Sequence, residues 1–404
     1  MTFMTPTERR ASASLASIYA LRMLGLFLVL PVFALEAAKY PGGDDPAWVG
    51  LTMGIYGLTQ GILQIPFGMA SDKLGRKRVI LFGLVIFALG SFVAAAADSL
   101  GMLMLGRAIQ GAGAISAAVT ALLADLTRDE VRTKAMALVG MSIGLMFALS
   151  LVLAPILVGY IGLAGLFVIT GVLTVCAMGV IKWWTPPEPE AVKLMPRAPL
   201  AAVLKIPALL RLNFGVFALH AVQLAMWVAL PSMLVAAGLA KADHWHVYLP
   251  TVLASFVVMG GVFPLERKGY LRGLFLTAIS LVLVVQVALL VHAGGTSLDT
   301  HHFQSSTELY FLGAALFVFF CGFNVLEATQ PSLVTKTAPL ALRGTALGVY
   351  NTLQSLGFFV GGLGGGWLVK TGGHKAVFAA CAVVMLMWLI VSWRMKAQPA
   401  KVVN

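Results

Sequence analysis

Twelve apolar runs of roughly twenty residues each, spread along one chain of 404 residues, limit what this sequence can become more than any other feature. A helix rises about 1.5 Å per residue and a bilayer's hydrocarbon core is about 30 Å thick, so each run can cross a membrane once. The runs fall at 14–35, 48–70, 79–97, 102–125, 135–159 and 162–183, then at 207–237, 247–264, 271–292, 309–334, 344–369 and 376–393. Inside hydrocarbon every backbone N–H and C=O must find its partner within the protein, and for runs of this length that means helix. The expected fold is an all-α membrane protein of twelve transmembrane helices.

Composition agrees. Only 11% of residues are charged and 59% are apolar, whereas a soluble domain carries about 25% charge. The net charge of +12 could suggest nucleic acid, but the basic residues sit in short loops between apolar runs and not along one solvated face. Arg9 and Arg10 ahead of the first run resemble the start of a secretory signal. Arg22 inside that run, the lack of a cleavage site and the eleven comparable runs that follow make it a retained helix. Cys176, Cys321 and Cys381 lie inside apolar runs and are too scattered for a disulfide framework or a zinc site.

Basic residues also set the orientation. With the N terminus in the cytoplasm, 22 of the 28 Lys and Arg fall on the cytoplasmic side, four (Lys39, Lys241, Lys370, Lys375) fall outside, and Arg22 and Arg107 lie within helices. This bias predicts a multi-pass protein of a bacterial inner membrane with both termini cytoplasmic. A stretch holding Pro186, Pro187, Pro189, Pro196 and Pro199 resists helix continuation and divides the chain. The expected organisation is a six-helix bundle over 1–183, a cytoplasmic linker over 184–206 and a second six-helix bundle over 207–404. Arg132-Thr-Lys-Ala-Met-Ala precedes Arg343-Gly-Thr-Ala-Leu-Gly by 211 residues, and the same offset maps Gly111 onto Gly322. The match is short, yet with six helices per half it points to a duplication.

The loop between the second and third runs reads Gly68-Met-Ala-Ser-Asp72-Lys-Leu-Gly75-Arg76-Lys77-Arg78. Gly68 permits close helix packing, Gly75 a tight turn, and Asp72 can cap a helix or pair with Arg76. This loop resembles the cytoplasmic signature G-x-x-x-D-x-x-G-R-R/K of the major facilitator superfamily. The resemblance implies that Asp72, Arg76 and Asp125, with Gly68, Gly75 and Lys77, form a conformational latch. The competing reading is a set of positive-inside surface charges worth little each.

Leu103-Met-Leu-Gly-Arg107-Ala-Ile-Gln110-Gly111-Ala-Gly113-Ala114 resembles the family's l-x-x-x-R-x-x-q-G-x-g-a pattern, which implies a role for Arg107 and Gln110 in proton coupling. An arginine within hydrocarbon faces protein or water, so Arg107 is expected to line a cavity or to snorkel to the outer surface. The fifth run offers Gly144, Ser150, Ala154, Pro155 and Gly159 where the family's antiporter signature has more glycines, which weakens a drug-efflux assignment.

Gly322-Phe-Asn324-Val-Leu-Glu327-Ala-Thr-Gln330-Pro331 places Asn324, Glu327 and Gln330 at three-residue steps on one helical face, and Tyr350, Asn351 and Gln354 follow in the next helix. With Leu21-Arg22-Met-Leu-Gly, these stretches are similar to the YajR branch of the proton-coupled efflux members. Members of that branch can carry a C-terminal soluble domain, and this sequence ends about ten residues after its last run. Arg22 and Glu327 lie at similar depths, about 10–12 Å from the cytoplasmic surface, and are expected to face each other across a cavity lined by helices 1, 4, 7 and 10. Protonation of Glu327 would then be the coupling event, and a static ion pair is the alternative.

His220, Gln223 and Trp227 are candidate substrate contacts in the seventh run. His244, His246, His301 and His302 show no ligand spacing that supports a metal site. The resemblance implies an alternating-access exporter of hydrophobic or amphipathic molecules driven by protons, monomeric, with no cofactor and no nucleic-acid partner. A proton-linked carrier of a defined sugar, amino acid or organic anion is the first alternative. A membrane receptor or enzyme is the second, although no nucleophile with a positioned base, catalytic carboxylate pair or phosphate loop is present.

Overall fold

A computed structural model describes residues 3–188, 200–267, 270–295, 306–339 and 342–395. The described residues form helices and no strands. They are α1 (Pro6–Ala37), α2 (Pro46–Leu74), α3 (Arg76–Ala95), α4 (Leu100–Ala112), α5 (Ser116–Asp125), α6 (Asp129–Gly179), α7 (Leu200–Leu204), α8 (Pro207–Ala236), α9 (Trp245–Arg267), α10 (Leu271–Gly295), α11 (Ser306–Thr337) and α12 (Arg343–Trp393). Much of the connector, 189–199, and the outer-loop His301 and His302 lie outside the described residues.

The chain divides into two compact units, Met1–Asp44 with Leu51–Arg197, and Asp45–Gly50 with Ala198–Asn404. In the first, α1 packs along α6, and in the second, α8 packs along α12. The second pairing follows from small residues at helical spacing. A Cβ added at Gly357 or Gly361 would come within 2.5 and 2.2 Å of the Phe217 and Ala221 carbonyl oxygens of α8, so the two backbones touch directly. The core of the first unit is aliphatic, with Leu15, Ile18, Ile80, Leu84, Ile115 and Leu122 essentially inaccessible.

Two of the expected boundaries take a particular form. α6 and α12 are each 51 residues long, and each is interrupted by one glycine in left-handed backbone, Gly162 at φ 65° and Gly373 at φ 65°. These breaks separate runs five from six and eleven from twelve. They lie 211 residues apart, the offset of the sequence repeat, so the duplication extends to an unusual backbone conformation.

The fourth run differs from the single helix expected over 102–125. It breaks at 113–115 into α4 and α5. The cause is close packing: a Cβ at Gly113 would lie 2.4 Å from the Gly83 carbonyl oxygen of α3, and one at Gly111 would lie 2.2 Å from that of Tyr56 in α2. Glycine here lets the helices approach and weakens the helix it belongs to. Within the break the Gly113 carbonyl accepts the Ile115 N–H at 2.9 Å, and its second lone pair faces the site described below.

No atom lies within 4 Å of a Cβ added at Gly162 or Gly373, so substitution there meets backbone strain alone. At φ near 65° and extended ψ, Gly162→Ala and Gly373→Ala are each expected to destabilise the protein by about 1–3 kcal/mol. A lowered midpoint of thermal unfolding in detergent micelles checks this, and an unchanged midpoint contradicts it.

Candidate functional site

The cytoplasmic loop of the first unit is organised around Arg76. α2 ends at Leu74, Gly75 turns the chain at φ 98°, and α3 starts at Arg76, whose side chain is thereby aimed back at α2. Its Nη1 donates to Asp72 Oδ1 and to Ser71 Oγ at 2.8 Å, and its Nε donates to Asp125 Oδ2 at 3.1 Å. Ser71 in turn donates to the Gly68 carbonyl at 2.8 Å. One guanidinium fork thus holds two carboxylates from different helices, which a lysine ammonium could not do with the same geometry. The Arg76 side chain is 10% exposed, Asp72 12% and Asp125 39%. Lys77 Nζ donates to the Thr185 carbonyl at 2.7 Å.

Deeper in the same unit lie two buried arginines. Arg107 donates to Gln110 Oε1 at 3.0 Å and to the Met53 carbonyl at 3.3 Å, while Gln110 Nε2 donates to Ser91 Oγ at 2.8 Å. It is 2% exposed, so its charge is met by groups of the first unit and not by the membrane surface. Arg22, fully buried, donates to Tyr56 Oη at 2.8 Å, Ser116 Oγ at 3.4 Å and the Gly113 carbonyl at 3.5 Å. Tyr56 joins the two: its hydroxyl receives Arg22, and its ring lies 5.0 Å from the Arg107 guanidinium carbon. Arg22 also stands 5.1 Å over the Phe87 ring. Neutral dipoles and ring faces surround both cations, and no carboxylate pairs with either among the described residues.

In the second unit the polar candidates converge on Glu327 of α11. Its Oε2 lies 3.4 Å from His220 Nε2 of α8, and its Oε1 accepts from Gln354 Nε2 of α12 at 3.4 Å. Gln354 Nε2 is also 2.7 Å from His220 Nε2. On the far side of the ring, His220 Nδ1 sits 2.8 Å from the Val216 carbonyl. A carbonyl only accepts, so Nδ1 carries a hydrogen and neutral His220 presents a lone pair at Nε2. The Glu327 side chain is 37% exposed and that of His220 2%.

Asn324 leaves this cluster and donates to Ser255 Oγ of α9 at 2.9 Å. Tyr350 is buried, with its hydroxyl unpartnered by protein. Gln330, Gln223 and Trp227 are buried, with both polar atoms of Gln330, Gln223 Oε1 and Trp227 Nε1 unpartnered by protein. Trp227 packs edge-on to Tyr248 at 5.4 Å, and the Asn351 carbonyl accepts from Ser355. The described partners of Arg22 belong to the first unit and those of Glu327 to the second. The 211-residue offset maps Ser116, which receives Arg22, onto Glu327.

The model of the Major Facilitator Superfamily matches residues 15–362. The chain belongs to that superfamily. It is 41% identical to the inner membrane transport protein YajR of Escherichia coli strain K12, over 98% of this chain and 85% of that protein. The quinolone resistance protein NorA of Staphylococcus aureus is 26% identical, covering 91% of this chain and 92% of its own. Among solved structures, the POT family transporter PepTSo superposes with a TM-score of 0.70 at 14% identity, over 96% of this chain and 99% of its own, and shows the shared fold.

As a major facilitator, the chain is a transporter of the inner membrane and not an enzyme. Two residues of the clusters above carry no signal in the sequence. Tyr56 is one apolar-run residue among many, and only its position between two arginines gives it a role. Ser71 acts through its contact with Arg76, which no spacing announces. Of the outer-loop histidines, His244 is buried, which pushes its imidazole down to about 4 and keeps it neutral, and His246 lies 3.8 Å from Asp243.

Because Asp72 is more buried than Asp125, neutralising it leaves Arg76 with the larger loss. Asp72→Asn is expected to lower thermal stability more than Asp125→Asn, and Arg76→Lys at least as much as either. Thermal unfolding of the three purified variants checks the order, and equal midpoints would contradict it.

Proposed function

We propose that this major facilitator is a proton-coupled secondary transporter that exports small hydrophobic or amphipathic molecules by alternating access. The observation that carries the reading is the triad of His220, Glu327 and Gln354. With Nδ1–H committed to Val216, an ionised Glu327 and a neutral His220 turn two acceptors toward each other at 3.4 Å. The Gln354 amide, within reach of both, offers one hydrogen to His220 Nε2 and one to Glu327 Oε1, and leaves Oε2 without a partner. Adding one proton lets His220 Nε2–H or the Glu327 acid donate directly across the gap, and Gln354 then has to turn. The two states differ in their hydrogen bonding, and the proton supplies the bond that Oε2 lacks, which is what a two-state switch requires.

Glu327, the more accessible partner, exchanges the proton with water, while buried His220 stabilises it. Asp72, Arg76 and Asp125 serve as the latch that the transport cycle opens and closes, with Gly68, Gly75 and Lys77 shaping it. Trp227, Gln223, Asn324, Gln330, Tyr350 and Asn351 supply substrate contacts, mixing apolar area with few polar groups as loose recognition requires. The similarity to NorA, a quinolone resistance protein by name, supports export of such compounds.

Glu327→Gln removes the proton and leaves the side chain's shape. In proteoliposomes with an imposed pH gradient it is expected to reduce gradient-driven transport of a lipophilic dye at least about tenfold while leaving gradient-free exchange intact. Undiminished gradient-driven transport by the variant would sink the proton assignment.

A second reading has an observation of its own. Arg22 and Arg107 are buried cations whose Nε atoms find no protein acceptor, an arrangement suited to an anionic group of a substrate such as an organic anion. On this reading Arg22→Gln raises KM for an organic anion about tenfold or more and leaves a lipophilic cation unaffected. Susceptibility profiling of a deletion strain, with anionic and cationic compounds side by side, separates the two readings.

A further inference from the structure

The first turn of α3 lacks a cap of its own. Gly75 stands at the N-cap with no side chain, and the first four N–H groups of any helix have no acceptor within it. Glu188, at the start of the connector, fills the gap. Its Oε2 accepts the Arg76 backbone N–H at 3.0 Å, and its Oε1 accepts the backbone N–H of Lys77. A carboxylate bridging two N–H groups at a helix N-terminus meets both the orphan donors and the positive end of the dipole.

The sequence around Glu188 is built to deliver it. α6 runs on as a π-helical turn, Val180–Trp184, and Thr185 leaves it in extended backbone at φ −67° and ψ 131°. Pro186 and Pro187 follow, and consecutive prolines hold an extended, stiff path with no backbone donors. The base of this strut is fixed twice more. Lys77 Nζ holds the Thr185 carbonyl, and Arg10 Nε holds the Trp184 carbonyl at 2.7 Å. At Gly75 a Cβ would stand 3.3 Å from Glu188 Oε2, so glycine also makes room for the carboxylate.

α3 therefore carries two sets of bonds on one residue. The Arg76 side chain holds Asp72 and Asp125, and its backbone N–H holds Glu188. A comparable device closes the next cytoplasmic loop, where Arg128, the uncapped start of α6, gives its backbone N–H to Glu8 at 3.1 Å and its Nε to the same oxygen at 2.8 Å. There one carboxylate takes both the backbone and the side chain. At Arg76 the two are divided between the connector and the latch.

We propose that Glu188 is a positioning residue that ties the connector to the Arg76 latch, so that release of one loosens the other. The tie rests on the latch reading of Asp72, Arg76 and Asp125 and extends it to the chain segment leading into the second half. Coupling of this kind is reciprocal: whatever Glu188 does to the Asp125 contact, Asp125 does to the Glu188 contact.

Backbone hydrogen exchange on the full-length protein in lipid nanodiscs tests it, because the Arg76 and Lys77 amides have Glu188 as their acceptor. Glu188→Ala is expected to speed exchange at 76 and 77 by about 2- to 30-fold, the range of a lost cap, and to speed exchange at the Asp125 end of α5 as well. Asp125→Asn is expected to speed exchange at 76 and 77 in return, and the double variant to fall short of the product of the two effects. Glu188→Asp, which keeps the charge and withdraws it by one methylene, gives an intermediate effect and guards against loss of fold. Acceleration at 76 and 77 alone, with multiplicative double effects, overturns the tie and leaves a plain helix cap. No acceleration at 76 and 77 overturns the cap itself. If the proton assignment to Glu327 fails, these outcomes are unaffected.

Discussion

Hydrocarbon supplies no hydrogen bonds, and every polar choice in this molecule answers to that constraint. Backbone groups are satisfied by folding each apolar run as a helix, and where the helix stops, at 113–115, the Gly113 carbonyl is shared by the Ile115 N–H and Arg22. The two buried arginines are held by a tyrosine hydroxyl, a tyrosine ring, a serine, a glutamine and main-chain oxygens. Removing any of these partners would leave a cation in a medium that cannot solvate it, which is why several contacts are gathered on each guanidinium.

The same constraint separates the two units chemically. Where the first half has Ser116, which receives Arg22, the same offset in the second half gives Glu327 beside His220. The glycine breaks at Gly162 and Gly373 share the 211-residue offset, and across the same offset the first unit has a serine that receives an arginine and the second a carboxylate beside an imidazole.

At the cytoplasmic face, where water competes, carboxylates take over. Asp72 and Asp125 on Arg76, Glu8 on Arg128 and Glu188 on the α3 start each replace a bond that the local sequence cannot make for itself. Individually such pairs contribute little at an exposed surface. Sharing a residue changes this, because bonds that meet on Arg76 stand or fall together, and cooperative groups of this kind can open and close as units.

Much of the architecture was legible in the residues: helices from run length, orientation from the lysine and arginine bias, and the Asp72–Arg76 contact from a spacing of four across a glycine turn. All of these depend on chemistry local to a few consecutive residues, or on a sum over loops, which the order of the chain alone records. The break in the fourth run needed the neighbouring backbones of α2 and α3, and the tautomer of His220 needed the Val216 carbonyl on its far side. Tyr56, Ser71 and Glu188 acquired roles only through contacts with residues distant in sequence or turned onto the same cluster. The sequence by itself determined how many times the chain crosses the membrane and which end faces the cytoplasm, because hydrophobic length and charge bias act segment by segment. Only the tertiary structure decided which groups hold each buried charge, because that depends on partners brought together from other helices.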